Sequence, residues 1–422
     1  MLTNPFFVII LAALGLEYVL HLAADLLNLS ALGLDLPPAL QGAYRTEDYR
    51  SSQAYGRATL RFDIVARTYR LLVLLVFWLL GGFNYLDQVI RAWGFVPVVN
   101  GLLYIGILLI GYGLLTLPLS AYATFVIEQR FGFNRTALRT FLLDRVKGLA
   151  LALSMGGPLL AGILLLFEHA GPYAWLYSWA AIALFSLVIQ FVAPTWIMPL
   201  FNKFTPMEAG DLKNAILAYA RSASFPLENV FVVDSSRRSS KSNAFFTGFG
   251  RNRRIALFDT LIARHTLPEM VAVLAHEIGH YKKKHIWQGT IIGILHMGVV
   301  LFLLSFFIGS PGLYRAFYMG QPSIYAGLVF FGLLYTPIEM LLSLAMHALS
   351  RRYEYEADRF AAETIEKPQS LVDALVKLHA SNLANLSPHP FYVFLNYSHP
   401  SLLQRVQAIR RYQAEHGTRE TS

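Results

Sequence analysis

Seven long apolar segments run through this chain, at about residues 5–26, 71–90, 101–126, 148–167, 172–193, 289–309 and 323–349. A helix of roughly 20 residues crosses the hydrocarbon core of a bilayer, and each segment reaches that length. A chain of 422 residues has no soluble interior able to hide seven such helices. Charged residues make up only 14% of it, against roughly 25% in an ordinary soluble domain. The sequence therefore predicts a polytopic membrane protein and excludes a disordered chain. The first segment lacks a basic flank and a small-residue cleavage site, so it reads as a retained span.

The basic residues set an orientation. Arg45, Arg50, Arg57, Arg61, Arg67 and Arg70 separate spans one and two, whereas Arg91 stands alone between two and three. Arg130, Arg135, Arg139, Arg145 and Lys147 follow span three, and only His169 separates four from five. The stretch after span five is strongly basic, and that after span six has Arg315 alone. Basic residues collect on the cytoplasmic side. The N-terminus is thus expected outside and the C-terminus in the cytoplasm. The net charge of +9 follows from this asymmetry and from contact with anionic lipid; nucleic acid is not needed as a partner.

Four parts result: spans one to five in 1–199, a polar part 200–288, spans six and seven in 289–349, and a polar part 350–422. The two polar parts read as halves of one cytoplasmic domain. There is no cysteine, which removes disulfides, thiolate zinc sites and cysteine nucleophiles. No internal repeat of the transporter kind stands out.

The chemistry is concentrated just before span six. Residues 271–284 read VAVLAHEIGHYKKK and contain His276-Glu277-Ile278-Gly279-His280. Thr266, with Glu269 three residues later, signals a capped helix start, and Pro268 is tolerated in the first turn. His276 and His280 are four apart, so on a helix they share a face and can grip one zinc ion. Glu277 is turned by about 100°. It can reach a water on the zinc without filling a coordination position, and take its proton.

A third ligand is expected from RRYEYEADRFA at 351–361. Glu354 and Asp358 share a helix face. One can bind zinc while the other receives the second N–H of a zinc histidine. Glu356 points away and reads as a solvated charge. SSKSNAFFTGFGRNRRIALFD reads as a hairpin: 242–246 extended, 248–253 turning and 255–258 returning. Its edge strand can pair with an extended peptide. His399-Pro400, before an apolar helical run, reads more readily as a helix-entry turn than as a site residue. Glu339 in span seven and His296 in span six either line a chamber or satisfy each other.

SNAFFTGF at 242–249, RIALFDTL at 254–261, AHEIGHYKKKH at 275–285, RRYEYEADRFA at 351–361 and NYSHPSLLQR at 396–405 together resemble the integral-membrane zinc metalloproteases of the CAAX prenyl protease type 1 family. That family processes the C-termini of prenylated proteins. The resemblance covers nearly the whole chain. It implies a mainly α fold with seven transmembrane helices around a chamber, closed by a cytoplasmic-side protease domain containing a small β-hairpin or sheet. It implies one zinc per chain on His276, His280 and Glu354, with Glu277 as general base and Asp358 supporting a zinc histidine. Asn243 would hold substrate backbone, His399 would bind substrate or the oxyanion, and Arg405 would be a further polar group. The short outer loops and the final Arg419-Glu420-Thr421-Ser422 point towards a bacterial plasma-membrane member, in which a prenylated substrate is in question.

The expected activity is therefore a membrane zinc endopeptidase acting on peptide or protein substrates, lipidated tails among them. A quality-control protease for damaged membrane proteins is a second enzyme reading. A seven-span transporter or receptor is the non-enzyme one, weakened because the first five spans show no acidic pair of the intramembrane kind.

Overall fold

The computed structural model describes residues 2–33, 35–41, 44–227, 229–247 and 254–417. Helix α1 covers Pro5–Ala31, α2 Thr46–Leu79, α3 Gly82–Ala92 and α4 Pro97–Tyr122, which runs on through a wider turn to Glu128. Helices α5 (Leu138–Leu151) and α6 (Gly157–His169) form one span through a similar turn, and α7 is Ala174–Val192. There follow β1 (Phe204–Pro206), α8 (Asp211–Ser222), β2 (Asn229–Val233), β3 (Ala244–Thr247), β4 (Arg254–Phe258) and α9 (Asp259–Ile262). Helix α10 (Leu267–Lys282) leads into α11 (His285–Phe307), α12 (Pro311–Arg315) and α13 (Ile324–Thr364). The chain closes with α14 (Gln369–Ser381), α15 (Pro390–Asn396) and α16 (Leu402–Gly417).

Among the described residues, six helices are long and apolar enough to cross a membrane, and the pair α2–α3 makes a seventh. All seven expected segments fall on these elements. They carry exposed Leu109, Leu184 and Phe306, as helices in contact with lipid do.

Two details differ from expectation. The arginines from Arg50 to Arg70 do not lie in a loop: they ride on α2, which begins at Thr46. The second span is also not straight. It bends by 59° between α2 and α3, where Gly81 takes the left-handed conformation (φ 76°) that a side chain would resist. Span one carries charge as well: Asp25 is buried and lies 3.4 Å from Arg67 of α2.

Helix α13 has 41 residues. At 1.5 Å per residue it is roughly 60 Å long, about twice the hydrocarbon thickness. Its C-terminal part, with Glu354 and Asp358, therefore projects beyond the bilayer. There it joins a hydrophobic core that includes Ile216, Leu257, Ile278, Ala361, Leu371 and Val406. Residues on both sides of spans six and seven thus share one core.

The sheet has the order β1-β2-β4-β3. Strands β3 and β4 pair antiparallel, with Phe245 opposite Ala256, and β2 runs parallel to β4. The two arms of the expected hairpin are present and β3 is an edge; the expected turn at 248–253 lies outside the described residues. Of the two roles foreseen for His296 and Glu339, mutual pairing holds for both, and a cavity wall for Glu339. Their side chains meet at 3.2 Å, and Glu339 lines a cavity of about 290 Å³ with Glu17, His21 and Tyr335.

Candidate metal centre

Helix α10 begins with the foreseen capping box. The Thr266 side chain accepts from the backbone of Glu269, and the Thr266 amide donates to the Glu269 carboxylate at 2.8 Å. Lys377 of α14 holds the same carboxylate at 2.6 Å. The helix packs against α13 at Gly279, where an added Cβ would lie 3.0 Å from the Ala357 Cα and carbonyl oxygen. That close approach sets the two helices that carry the site.

Four turns of helix then present the ligands. Nε2 of His276 and Nε2 of His280 are 3.2 Å apart. The Glu354 carboxylate faces them at 3.5 Å from His276 and 3.3 Å from His280. One donor atom from each of the three lies within 4.8 Å of the others. Two imidazoles and a carboxylate are a zinc donor set, and Glu354 is buried. These residues fit the metal.

Asp358 stands one turn after Glu354, 2.9 Å from Nδ1 of His276. Arg405 of α16 donates to both Asp358 oxygens, Nη2 at 2.6 Å and Nε at 2.8 Å. It also reaches Glu354 at 3.3 Å. Burial opposes a charged His276, but the Asp358 and Glu354 carboxylates outweigh it and hold the metal-free imidazole up at about 9. Glu277 lines the same pocket, and burial pushes its carboxyl pKa up against the lowering effect of His276 and His280.

The pocket measures about 480 Å³ and includes Asn243, Glu277, His379, His399 and Arg405. His399 approaches Glu354 at 3.3 Å through Nε2, and its Nδ1 is 2.9 Å from the Ser398 hydroxyl. Asn243 sits where β3 begins. Its Oδ1 accepts from the Ala244 amide, and the residue lines the pocket. Seven of the eight candidate site residues thus line one cavity, and the eighth, Asp358, stands behind His276.

Two more groups were missed and one was misread. The sequence offers no signal for His379 beyond a histidine on an apolar helix. His285 ends the AHEIGHYKKKH stretch, and the motif alone assigns it no role. Glu356 is not a free solvated charge. Its carboxylate binds Arg352 at 2.9 Å and His285 at 3.2 Å, because α11 brings His285 to its side of α13.

A family described as CAAX prenyl protease N-terminal, five membrane helices, matches residues 26–203, and peptidase family M48 matches residues 206–413. The chain is 35% identical to CAAX prenyl protease 1 homolog of Arabidopsis thaliana, covering 96% of this chain and 97% of that protein. It is 36% identical to CAAX prenyl protease 1 of Saccharomyces cerevisiae, over 89% and 88%. The crystal structure of S. mikatae Ste24p superposes with a TM-score of 0.90 at 34% identity, covering 96% of this chain and 99% of that one. These relatives are eukaryotic, and the expectation of a bacterial member gains no support from them.

Proposed function

Because the chain belongs to peptidase family M48, among the CAAX prenyl protease 1 homologues, we propose that it cuts lipidated C-terminal tails at the centre formed by His276, His280 and Glu354. It is an integral membrane zinc metalloendopeptidase acting on peptide or protein substrates. The observation that carries the residue assignment is the convergence of three ligand atoms within 4.8 Å in a pocket that Glu277 also lines.

A bound zinc supplies Lewis acidity towards the attacking water and the scissile carbonyl. Glu277 accepts the proton of that water and passes it to the leaving amine. Its raised pKa suits both halves of the transfer. Asp358 accepts the Nδ1–H of His276, which fixes the tautomer with the Nε2 lone pair free for the metal. Arg405 balances the paired carboxylates Asp358 and Glu354. His399 donates to the charge that develops on the carbonyl oxygen. The substrate lies as an added strand along β3, and the Asn243 amide holds its backbone.

One zinc binds per chain. Residues 200–288 and 350–422 act as two halves of one protease domain on the cytoplasmic side, and residues 1–199 and 289–349 form the membrane part. The zinc ligand set has no use in a transporter or receptor.

The test offers purified protein a farnesylated C-terminal peptide and the same peptide without lipid. The lipidated peptide should be cut, and elemental analysis should find about one zinc per chain. Glu277→Gln should keep its zinc and lose turnover, since an amide cannot take a proton. Glu354→Gln should weaken zinc binding. Wild-type cleavage by Glu277→Gln would overturn the mechanism. Equal cleavage of both peptides would overturn the lipidated substrate and favour quality control.

A further inference from the structure

Each candidate zinc histidine has a second ring nitrogen that must be satisfied. For His276 the partner is Asp358. For His280 it is another histidine. Nδ1 of His280 lies 3.0 Å from Nδ1 of His285, and Nε2 of His285 lies 3.2 Å from Oε2 of Glu356. Only one proton arrangement serves this chain when Nε2 of His280 is a ligand. His280 then carries its proton on Nδ1 and donates it to Nδ1 of His285. His285 carries its proton on Nε2 and donates it to the Glu356 carboxylate.

His285 is built into place. It is buried, and its ring stacks on Tyr353 of α13 with centroids 4.0 Å apart and planes 13° from parallel. The Tyr353 hydroxyl is held in turn by Gln288 at 2.6 Å. The preceding Lys284 adopts a left-handed conformation, φ 61°, although it is not glycine. It is this left-handed turn that joins the end of α10 to the start of α11, which carries His285. Arg352 holds the other Glu356 oxygen at 2.9 Å.

We propose that His285 and Glu356 are positioning residues that orient His280 and fix its tautomer, a second arm opposite the Asp358–Arg405 arm of His276. The proposal rests on the zinc reading above. It assigns a purpose to the HEIGHYKKKH spacing beyond the two ligands, and to the acid at 356 between Glu354 and Asp358.

The experiment measures the zinc dissociation constant of the full-length protein in detergent by chelator competition. His285→Phe keeps a ring against Tyr353 but cannot accept from His280; Glu356→Ala removes the end of the chain. Each should weaken zinc about 10–100-fold, the usual range for such supporting groups. The double variant should lose no more than His285→Phe alone, because both act through one hydrogen-bonded path. Glu356→Gln retains an acceptor oxygen at the same reach and should restore most of the affinity lost in Glu356→Ala. Unchanged affinity in Glu356→Ala, or losses that add in the double variant, would overturn the proposal, and Glu356→Ala decides it even if His285→Phe does not fold. Wild-type protein that binds no zinc would instead overturn the ligand set itself.

Discussion

His379 lines the pocket beside the candidate ligands as a neutral imidazole. It donates Nδ1–H to the Leu375 carbonyl at 2.8 Å. Burial, with the nearby charges of Arg405 and His399, holds its pKa down at about 4, against 6.5 for a free imidazole. Between those values the unfolded chain takes up a proton that the folded chain refuses. The group therefore costs stability as pH falls from about 6.5 towards 4 and adds no pH dependence above that window. His379→Leu keeps the bulk and removes the titration. Melting curves from pH 7.5 to 4.5 should show the variant gaining on the wild type below pH 6.5; a gap that stays constant with pH would refute this. At this scale the legible residues were those whose partners share their own helix. His276 with His280, and Glu354 with Asp358, are four apart, and helical geometry alone puts each pair on one face. Glu356 was illegible because its partner His285 is 71 residues away and arrives through a left-handed turn at a lysine, which no propensity announces.

The contact between α10 and α13 decides whether those residues meet. Gly279 carries two opposing expectations. Alanine in a helix interior is favoured over glycine by about 1 kcal/mol. Here the added methyl would press on backbone atoms of Ala357 at 3.0 Å, which cannot swing aside as a side chain could. Overpacking of this kind costs about 1–3 kcal/mol, so the steric effect should win. Gly279→Ala should lower the melting temperature and weaken zinc, because moving α10 off α13 separates His276 and His280 from Glu354. Gly289→Ala, on α11 with nothing within 4 Å, should be neutral or stabilising and is the control. Equal melting temperatures for Gly279→Ala and wild type would show that the interface yields. Much of the element plan was legible. The start of α10 is written in Thr266 and Glu269, and the edge position of β3 follows from the hairpin arms. The parallel pairing of β2 with β4 was not legible, since it joins strands more than twenty residues apart. The 59° bend between α2 and α3 was likewise hidden, because hydropathy reports the span and not its axis.

For the whole molecule we propose one arrangement in the membrane, from the basic segments and the packing. At one end, Asn4 donates to the Gly312 carbonyl at 2.8 Å and the Trp78 indole to the Ala316 carbonyl at 2.9 Å. These contacts gather the chain's start, the end of α2 and the segment between spans six and seven. At the other end, Arg238 grips Asp144, and Asn385 donates to Asn28 at 3.3 Å, so the end of span one and the start of span four adjoin the protease domain. The arginine-rich segments lie at this second end, which the charge bias of membrane proteins assigns to the cytoplasm. The chain has no cysteine, so single cysteines report position without background. Ser235 is buried and is a poor probe; Arg237 and Glu415 are exposed at the protease end, and Val96 and Arg315 are exposed at the opposite one. A membrane-impermeant thiol reagent applied to intact cells should label Val96→Cys and Arg315→Cys at once, and Arg237→Cys and Glu415→Cys only after lysis. The reverse pattern would place the zinc pocket outside the cytoplasm, away from any tail lipidated there, and the proposed substrate class would fall with the orientation.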